Sequence, residues 1–384
     1  MPRSGRALAG FLLSGFLLAL LGAILPAWGY HRDPPDFTAV GHYFLSLALG
    51  VAAAAAVARR FLARRGLRAL LVSACILAAV AIGWLAWVSP PAPMWQRASG
   101  LVVLGVAAGL LNVGLFQAMS RGYQADAAGT VNKGGIWYGL GCLTATVLAA
   151  VAFYTNTAGV LLVMAVVPAV FAGIYLRGVD TAAPPLPEPT LRKAVRDFRS
   201  PAAVLFALLL FFQFGNEWSI AGWLPILLIR RVGMPPGGAL LVLALYWLCL
   251  MTGRLGAVSI LPRVRHGRVL ALSVFAAFLG CLLLYFTDNT FGAAMGAFFV
   301  GGGFASIYPL VAESIGRRFP YYHPGFFNGI FSIALLGGLV APATLGYAAE
   351  AWGVGVVVAI PLIGSCTVVA LVLLIWLESK VTGR

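Results

Sequence analysis

The sequence predicts an all-α membrane protein in which twelve transmembrane helices form two pseudo-symmetric six-helix bundles. Of the 384 residues, 61% are hydrophobic and 10% are charged, whereas soluble domains carry roughly 25% charged residues. Apolar runs of about 20 residues, long enough to cross a hydrocarbon layer of about 30 Å as helices, recur along the whole chain. One long polar segment divides these runs into two sets of six.

The apolar runs are numbered spans 1 to 12. Span 1 follows Arg3 and Arg6 and ends near the sequence PAWG, as a secretory signal would. Its apolar region is longer than the roughly 7–15 residues of a signal peptide, and we therefore interpret it as a transmembrane helix. The predicted spans are 7–30, 37–58, 68–88, 95–119, 134–154, 158–176, 202–229, 237–261, 267–287, 290–316, 325–348 and 353–377.

The net charge of +15 does not indicate a nucleic-acid partner, because the basic residues alternate with the spans. If the N-terminus is cytoplasmic, all basic residues except Arg32, Arg97, Arg230 and Arg231 fall on the same side of the membrane. The positive-inside rule then places both termini in the cytoplasm. We expect a multi-pass protein of the inner (plasma) membrane, with the lipid bilayer as a partner and a monomeric state.

The long polar segment, residues 177–201, is rich in proline and charge. It predicts a cytoplasmic linker between an N-terminal bundle, residues 1–176, and a C-terminal bundle, residues 202–384. Short motifs recur in the same order in both halves: AILP and GWLP in spans 1 and 7, RRG and RHG before spans 3 and 9, and GLLN and GFAS in spans 4 and 10. Parallel six-helix repeats are typical of secondary transporters, which bind their solute between the halves near the midplane.

Several motifs resemble those of the major facilitator superfamily, and the resemblance covers essentially the whole chain. They are YW at 246–247, GRL at 253–255, GFASIYPLVAESIGRRFP at 303–320, which begins in span 10 and continues past its end, and the glycine pair and proline of span 11. The superfamily's basic signature between spans 2 and 3 is kept in part, with Ala63 at its acidic position. This resemblance implies the twelve-helix major facilitator fold and alternating access.

Span 7 resembles the fucose permease and related sugar porters through Gly215, Glu217, Gly222 and Trp223. This resemblance implies a small-molecule substrate, a sugar or a related polar metabolite, that moves together with protons. The acids that such symporters carry in helices 1 and 4 have no counterpart in this sequence.

Glu217 lies in the middle of an otherwise apolar segment, FFQFGNEWSIAGW. Ionisable side chains at that depth usually face a cavity and mark ion or substrate pathways. Burial disfavours the charged carboxylate, and we expect no lysine or arginine at the midplane to oppose that effect, so proton binding at neutral pH becomes possible. We expect Glu217 to couple solute movement to H⁺, with Gln213 and Asn216 binding substrate. A structural hydrogen bond between helices is the alternative.

Amides and aromatic rings in other spans are candidate substrate ligands. Asn112 and Asn328 can hydrogen-bond hydroxyl groups without adding charge, and Trp223 and Tyr308 can stack on the apolar faces of sugar rings. Both kinds of residue have a structural alternative, since amides also join helices and intramembrane aromatics usually pack or lie at the interface.

A charged pair near the inner end of span 10 is a candidate gate. Glu313 lies there, close in sequence to Arg317 and Arg318. We expect Glu313 and Arg254 to form a structural or gating ion pair rather than to bind substrate. Ion pairs that break between states supply the bistable contact that alternating access needs.

The sequence carries no motif for catalysis, metal binding or ATP hydrolysis. Neither H-E-x-x-H nor G-x-x-x-x-G-K-[ST] occurs, and the five cysteines fall within spans without paired spacing. We therefore expect no catalytic residues, no cofactor and no metal, and we predict a transporter rather than an enzyme. A proton-driven exporter of drugs or metabolites, a membrane-embedded enzyme and a non-transporting sensor are the alternative functions.

Overall fold

The structure is helical throughout the part of the chain that it describes. A computed structural model describes residues 3–179, 191–326 and 328–382, and no strand occurs within these ranges. A short 3-10 helix covers Pro324–Phe326. The α-helices are α1 (Arg3–Ile24), α2 (Phe37–Trp87), α3 (Met94–Ala118), α4 (Ser120–Ala125), α5 (Ala127–Tyr154), α6 (Thr157–Leu176), α7 (Leu191–Asp197), α8 (Pro201–Val232), α9 (Pro236–Ile260), α10 (His266–Phe286), α11 (Thr290–Arg318), α12 (Ile330–Trp352) and α13 (Val356–Thr382).

Eleven of the described helices are long and apolar enough to cross a bilayer. One of them, α2, has 51 residues and consists of two helices that meet at Gly66, where φ is 79° and ψ is 170°. Residues with a side chain rarely adopt positive φ, so the chain reverses direction at a glycine. α2 therefore supplies two spans, and the predicted all-α fold with twelve transmembrane helices is confirmed.

Polar residues between the apolar runs begin several helices. Each places a side-chain oxygen where it accepts a hydrogen bond from a backbone N–H of the first turn, which has no partner within the helix. The capped N–H groups belong to residues three positions further along the chain. These capping residues are Asp36, Asp126, Asn156 and Asn289.

The helices pack as two groups. In the first half, α1 packs on α5, and α2 packs on α3 and α6; in the second half, α8 packs on α12 and α13, and α10 packs on α11 and α13. Contacts between the groups join α5 to α9, α2 to α12 and α1 to α8. The domain limits 1–176 and 202–384 remain a prediction, and residues 180–190 of the expected linker lie outside the described residues.

Polar contacts distinguish the two ends of the molecule. At one end, Arg6 near the start of α1 donates to the carbonyl of Gly178 at 2.8 Å, and Arg318 pairs with Glu378 of α13 at 2.6 Å. We call this the basic end, because the arginine-rich turn around Gly66 also lies there. At the opposite end, Arg230 pairs with Asp33 at 2.5 Å.

Glycines bring the two bundles together at the opposite end. A Cβ added to Gly22 of α1 would lie 2.7 Å from the Cα of Gly222 in α8, and one added to Gly346 of α12 would lie 2.5 Å from the Cα of Gly41 in α2. Helices approach this closely in membranes where small residues line both surfaces. We call these two contacts the glycine seams, and they close the opposite end with backbone against backbone.

Large apolar side chains cover much of the outer surface. Examples are Val163 at 61% exposed, Leu241 at 69% and Phe275 at 61%. Soluble proteins rarely expose apolar patches of this extent to water. The surface is therefore suited to contact with lipid.

Candidate substrate and proton site

A cavity lies between the two bundles and extends toward the basic end. It contains about 980 Å³ of space not filled by atoms, its openings to solvent included. Small-molecule sites typically combine an apolar lining with a few polar groups, as this cavity does. The polar lining residues are Asn112, Thr130, Glu217 and Arg254, and the aromatic ones are Phe11, Phe116, Tyr138, Phe214, Trp218, Tyr308 and Phe331.

A second chamber continues from this cavity toward the opposite end. It contains about 500 Å³ of empty space and shares Leu18, Tyr138 and Trp218 with the first cavity. Its far wall includes Gly22 and Gly222, which form one of the glycine seams. The two spaces together follow the interface between the bundles.

Glu217 is held in the middle of α8. It lies sixteen positions after Pro201, the first residue of the helix, or about 24 Å along the axis at about 1.5 Å per residue. The residue is 5% exposed and contributes to the lining of the cavity. The sequence-based expectation that this carboxylate faces a cavity inside the membrane therefore agrees with its position.

Arg254 of α9 lies opposite Glu217 and is also 5% exposed. Its Nη2 is 3.8 Å from Oε1 of Glu217, while Nη1 donates to the carbonyl of Gly135 at 3.1 Å and Nε to that of Ala305 at 3.4 Å. The guanidinium carbon also lies 5.9 Å from the centre of the Tyr138 ring. The arginine thus connects three helices around the cavity.

Gly135 makes room for this guanidinium. A Cβ at that position would lie 2.4 Å from Nη1 and 2.6 Å from Cδ of Arg254. Any side chain on Gly135 would therefore displace the arginine from its present position.

Two expectations about Arg254 are corrected by this arrangement. It does not pair with Glu313, and it does supply a positive charge near Glu217. Glu313 instead contacts Nδ1 of His266 at 2.9 Å and the guanidinium of Arg317, at the basic end. The sequence places Arg254 within span 8 but does not show the direction of its long side chain, which points into the cavity. The signal available in the sequence was an arginine inside an apolar span, which is costly unless it has a partner.

The two amides beside Glu217 differ in orientation. Gln213, one turn before Glu217, is fully buried near the carboxylate, although no well-formed hydrogen bond connects the two side chains. Asn216 faces α13 instead, because a Cβ on Gly364 would lie 2.2 Å from its Oδ1. Successive helix residues are rotated by about 100°, so a neighbour of Glu217 in sequence need not share its face. The expectation that Asn216 binds substrate is therefore not supported by its position.

Trp223 has a structural position rather than one in the cavity lining. Its indole N–H donates to the carbonyl of Pro342 at 2.9 Å, and its ring stacks on Phe44 with a centroid distance of 5.9 Å. It is completely buried between the two bundles. Trp218, which the sequence reasoning did not select, lines the cavity in its place.

Two other predicted ligands lie at the cavity and one does not. Tyr308 and Asn112 both line it, and Oδ1 of Asn112 accepts a hydrogen bond from Ser14 at 2.9 Å. Asn328 lies in the loop before α12, where its Oδ1 accepts a hydrogen bond from the backbone N–H of His323 at 3.0 Å. Its amide therefore holds a loop rather than facing the cavity.

An aromatic contact between the bundles covers the cavity at the basic end. The ring of His323 lies 4.7 Å from Tyr123 and 5.9 Å from Phe116, measured between centroids. Gly325 packs against Phe116 so closely that an added Cβ would lie 2.0 Å from the phenylalanine Cβ. His323 lies outside the transmembrane helices, and burial lowers its pKa to about 4. We call this contact the basic-end plug.

The fold and the cavity define a membrane transport protein with its site between two helical bundles. Residues 134–342 match the sequence profile of the Major Facilitator Superfamily, and the chain belongs to this superfamily. An uncharacterised MFS-type transporter of Yersinia pestis is 23% identical over 357 residues, which cover 88% of this chain and 87% of that protein.

Solved transporter structures share the fold. The FucP transporter in its outward conformation has a TM-score of 0.69 at 15% identity, covering 98% of this chain and 99% of its own. A D-xylose-proton symporter has a TM-score of 0.73 at 16% identity, covering 97% and 96% of the two chains. The nucleoside transporter NupG has a TM-score of 0.67 at 14% identity, covering 99% and 100%. Another FucP structure is described as the E. coli fucose:proton symporter, with a TM-score of 0.66 at 15% identity, covering 97% of this chain and 98% of that one.

Proposed function

We propose that the protein is a secondary active transporter that moves a small solute, a sugar or a related polar metabolite, by proton-coupled alternating access. The observation that carries this proposal is the buried Glu217 carboxylate in the cavity between the bundles, with Arg254 at 3.8 Å as its ionic neighbour. A charged residue at this depth needs a functional reason, because burial in the membrane interior is costly.

Glu217 is the proposed proton carrier. It is the carboxylate that lines the cavity among the described residues, and solute arrival changes its solvation. Proton binding and solute binding are therefore coupled through one site.

The lining supports a polar solute with an apolar face. Tyr138, Trp218 and Tyr308 offer rings for stacking, and Asn112 offers an amide for hydrogen bonding. The similar folds described as fucose, xylose and nucleoside transporters support a small hydroxylated solute and symport with H⁺.

We further propose that the basic end is cytoplasmic, as the distribution of arginine and lysine indicates. Alternating access would then require the basic-end plug to open toward the cytoplasm and the glycine seams to open toward the outside. Residues 1–176 and 202–384 would move as the two bundles of a monomer in the plasma membrane.

Transport in proteoliposomes tests the role of Glu217. Glu217→Gln keeps the shape of the side chain but cannot release a proton, so uphill uptake driven by a pH jump should be abolished. Solute binding and exchange between equal pools should persist. The matched control is Glu350→Gln, which alters an exposed carboxylate of α12. Uphill accumulation by Glu217→Gln with normal pH dependence would reduce Glu217 to a structural residue.

Export is the second candidate function. The strongly aromatic lining with one carboxylate also suits amphiphilic cations or metabolites exchanged for protons. Efflux of a lipophilic cation from loaded proteoliposomes, compared with uptake of labelled hexoses, distinguishes the two. Cation efflux driven by an opposing proton gradient, without hexose uptake, would favour the exporter.

A further inference from the structure

The charge balance of the cavity identifies a narrower substrate class. Building on the proposed proton-coupled transport, we propose that the solute is a small organic monocarboxylate, whose carboxylate replaces Glu217 as the ionic partner of Arg254. The solute and a proton would then enter the cavity together.

Among the described residues that line the cavity, Glu217 is the only carboxylate and Arg254 the only cation. With both ionised, the empty cavity is electrically balanced. A proton on Glu217 leaves the guanidinium of Arg254 buried without a counter-charge, and removing one member of a buried pair is strongly unfavourable.

A neutral sugar does not correct this imbalance. A monocarboxylate does, because its negative charge restores the balance in the protonated cavity. A dicarboxylate would add one negative charge too many. Proton and monoanion therefore stabilise each other's binding. The charges cancel in the empty cavity and in the cavity that holds both the proton and the monoanion, but not in a cavity that holds only one of them.

The geometry of Arg254 allows this exchange of partners. Its Nη2 is 3.8 Å from Glu217 Oε1, too far for a hydrogen bond. A guanidinium has five N–H donors in a planar fork that matches a carboxylate. In this structure Nη1 and Nε each donate to a backbone carbonyl, so the fork retains donors for a bound anion.

Within the part of the chain that the structure describes, the surroundings of the pair supply no competing charge at neutral pH. The other ionisable groups around the pair are phenols and a thiol, which are ordinarily neutral there. The lining that remains is aromatic, with the polar side chains of Asn112 and Thr130. It suits the body of a hydroxylated or aromatic acid. These neighbouring groups are Tyr138 and Cys142 of α5, Tyr246 of α9 and Tyr308 of α11.

Uptake by proteoliposomes containing the full chain tests the proposal with matched pairs of solutes. The pairs are D-gluconate with D-sorbitol, L-lactate with propane-1,2-diol, and phenylacetate with 2-phenylethanol. With an acidic exterior, and after subtraction of the uptake by protein-free liposomes, at least one acid should accumulate about tenfold or more over its neutral counterpart, as expected for a charge-assisted contact. Uptake should not change with an imposed K⁺ diffusion potential, because a proton and a monoanion carry no net charge.

Binding to variants separates the ionic role from a folding defect. Glu217→Gln keeps Arg254 without its neighbouring charge, so it should bind the transported acid at least as tightly as the wild type and independently of pH between 5.5 and 7.5. The double variant Glu217→Gln with Arg254→Gln removes both charges while keeping the polar side chains. It should remain folded in a thermal-shift assay but lose about tenfold or more in affinity for the acid.

The outcomes distinguish this inference from the proposed function. Proton-driven uptake of a neutral member, stimulated by a negative-inside potential, would overturn the monocarboxylate proposal and leave proton-coupled transport intact. Unchanged affinity for the acid in the double variant would also overturn it. No proton-driven uptake of any neutral or acidic member would contradict both proposals.

Discussion

Replacing Gly135 with alanine tests whether the position of Arg254 controls transport. The new Cβ would lie 2.4 Å from Nη1, whereas ordinary van der Waals contact begins near 3.4 Å. The guanidinium must therefore move by about 1 Å from its present position beside Glu217 and the Gly135 carbonyl. The displaced guanidinium no longer meets the solute with its present geometry. Because a hydrogen bond to a charged group contributes about 1.5–3 kcal/mol, we expect solute affinity to fall by about tenfold or more.

Folding should be little affected by this substitution. The clashing atoms belong to a flexible side chain, and alanine is favoured over glycine within a helix by about 0.5–1 kcal/mol. The melting temperature of Gly135→Ala should therefore stay close to that of the wild type. Gly139→Ala provides a contrast, because its Cβ would meet the Cβ of Met251 at 2.9 Å and the Cα at 3.3 Å. That substitution pushes α5 away from α9 and should lower the melting temperature.

The assay combines thermal shift in detergent with proton-driven uptake in proteoliposomes. The solute is the one that most stabilises the wild type in a ligand screen, since a ligand that binds the folded state raises its stability. Gly173→Ala is the neutral control, because no atom lies within 4 Å of its added Cβ. Wild-type affinity and uptake in Gly135→Ala would refute the view that transport depends on the placement of the guanidinium.

Three further measurements test other parts of the structure. Trp223→Phe removes the hydrogen bond to the Pro342 carbonyl and should destabilise the fold by about 0.5–1.5 kcal/mol without changing solute affinity. Trp352→Phe, at a position 78% exposed, should change neither the stability nor the solute affinity. Burial lowers the pKa of His323 from 6.5 to about 4, so between these pH values the unfolded chain binds a proton that the folded protein does not. The free energy of unfolding should therefore be highest above pH 6.5 and decrease toward pH 4. His323→Gln should make this decrease smaller. If both profiles have the same slope, His323 is not the group responsible. In a Cys366→Ser background, which removes the exposed cysteine, an impermeant thiol reagent applied to intact cells should label Asp288→Cys but not Pro187→Cys, and the reverse pattern would invert the proposed orientation.

The number of spans could be predicted because the hydropathy of a segment depends only on its own residues and not on how the helices pack. The ends of helices depend on local polar contacts and were less predictable. Span 5 was expected to begin at 134, but α5 begins at Ala127, where Asp126 accepts a hydrogen bond from the N–H of Gly129. α1 ends at Ile24, before the predicted limit of 30. The short helices α4 and α7 were not predicted, because they are too short to show an apolar period.

The sequence predicted where Glu217 lies along its helix, but not the directions in which the side chains around it point. Glu217 was found because a carboxylate within an apolar span is rare and costly. Trp223 was predicted to stack on the solute, whereas Trp218 lines the cavity. Five helical residues correspond to a net rotation of about 140°, which places the two rings on different faces. The neighbour of Glu217 was missed because the reach of Arg254 across the cavity depends on how α8 and α9 are rotated. That rotation is set by tertiary packing.

Both members of the charged pair belong to the second bundle, on α8 and α9. Among the described residues, the first bundle contacts it through neutral groups, the carbonyl of Gly135 and the ring of Tyr138. If the bundles separate as proposed, Glu217 and Arg254 would move together and stay close, while the carbonyl and the ring would be replaced by water. The proton affinity of the site would then change because water enters around the pair. No charged side chain would have to exchange its partner for one in the other bundle.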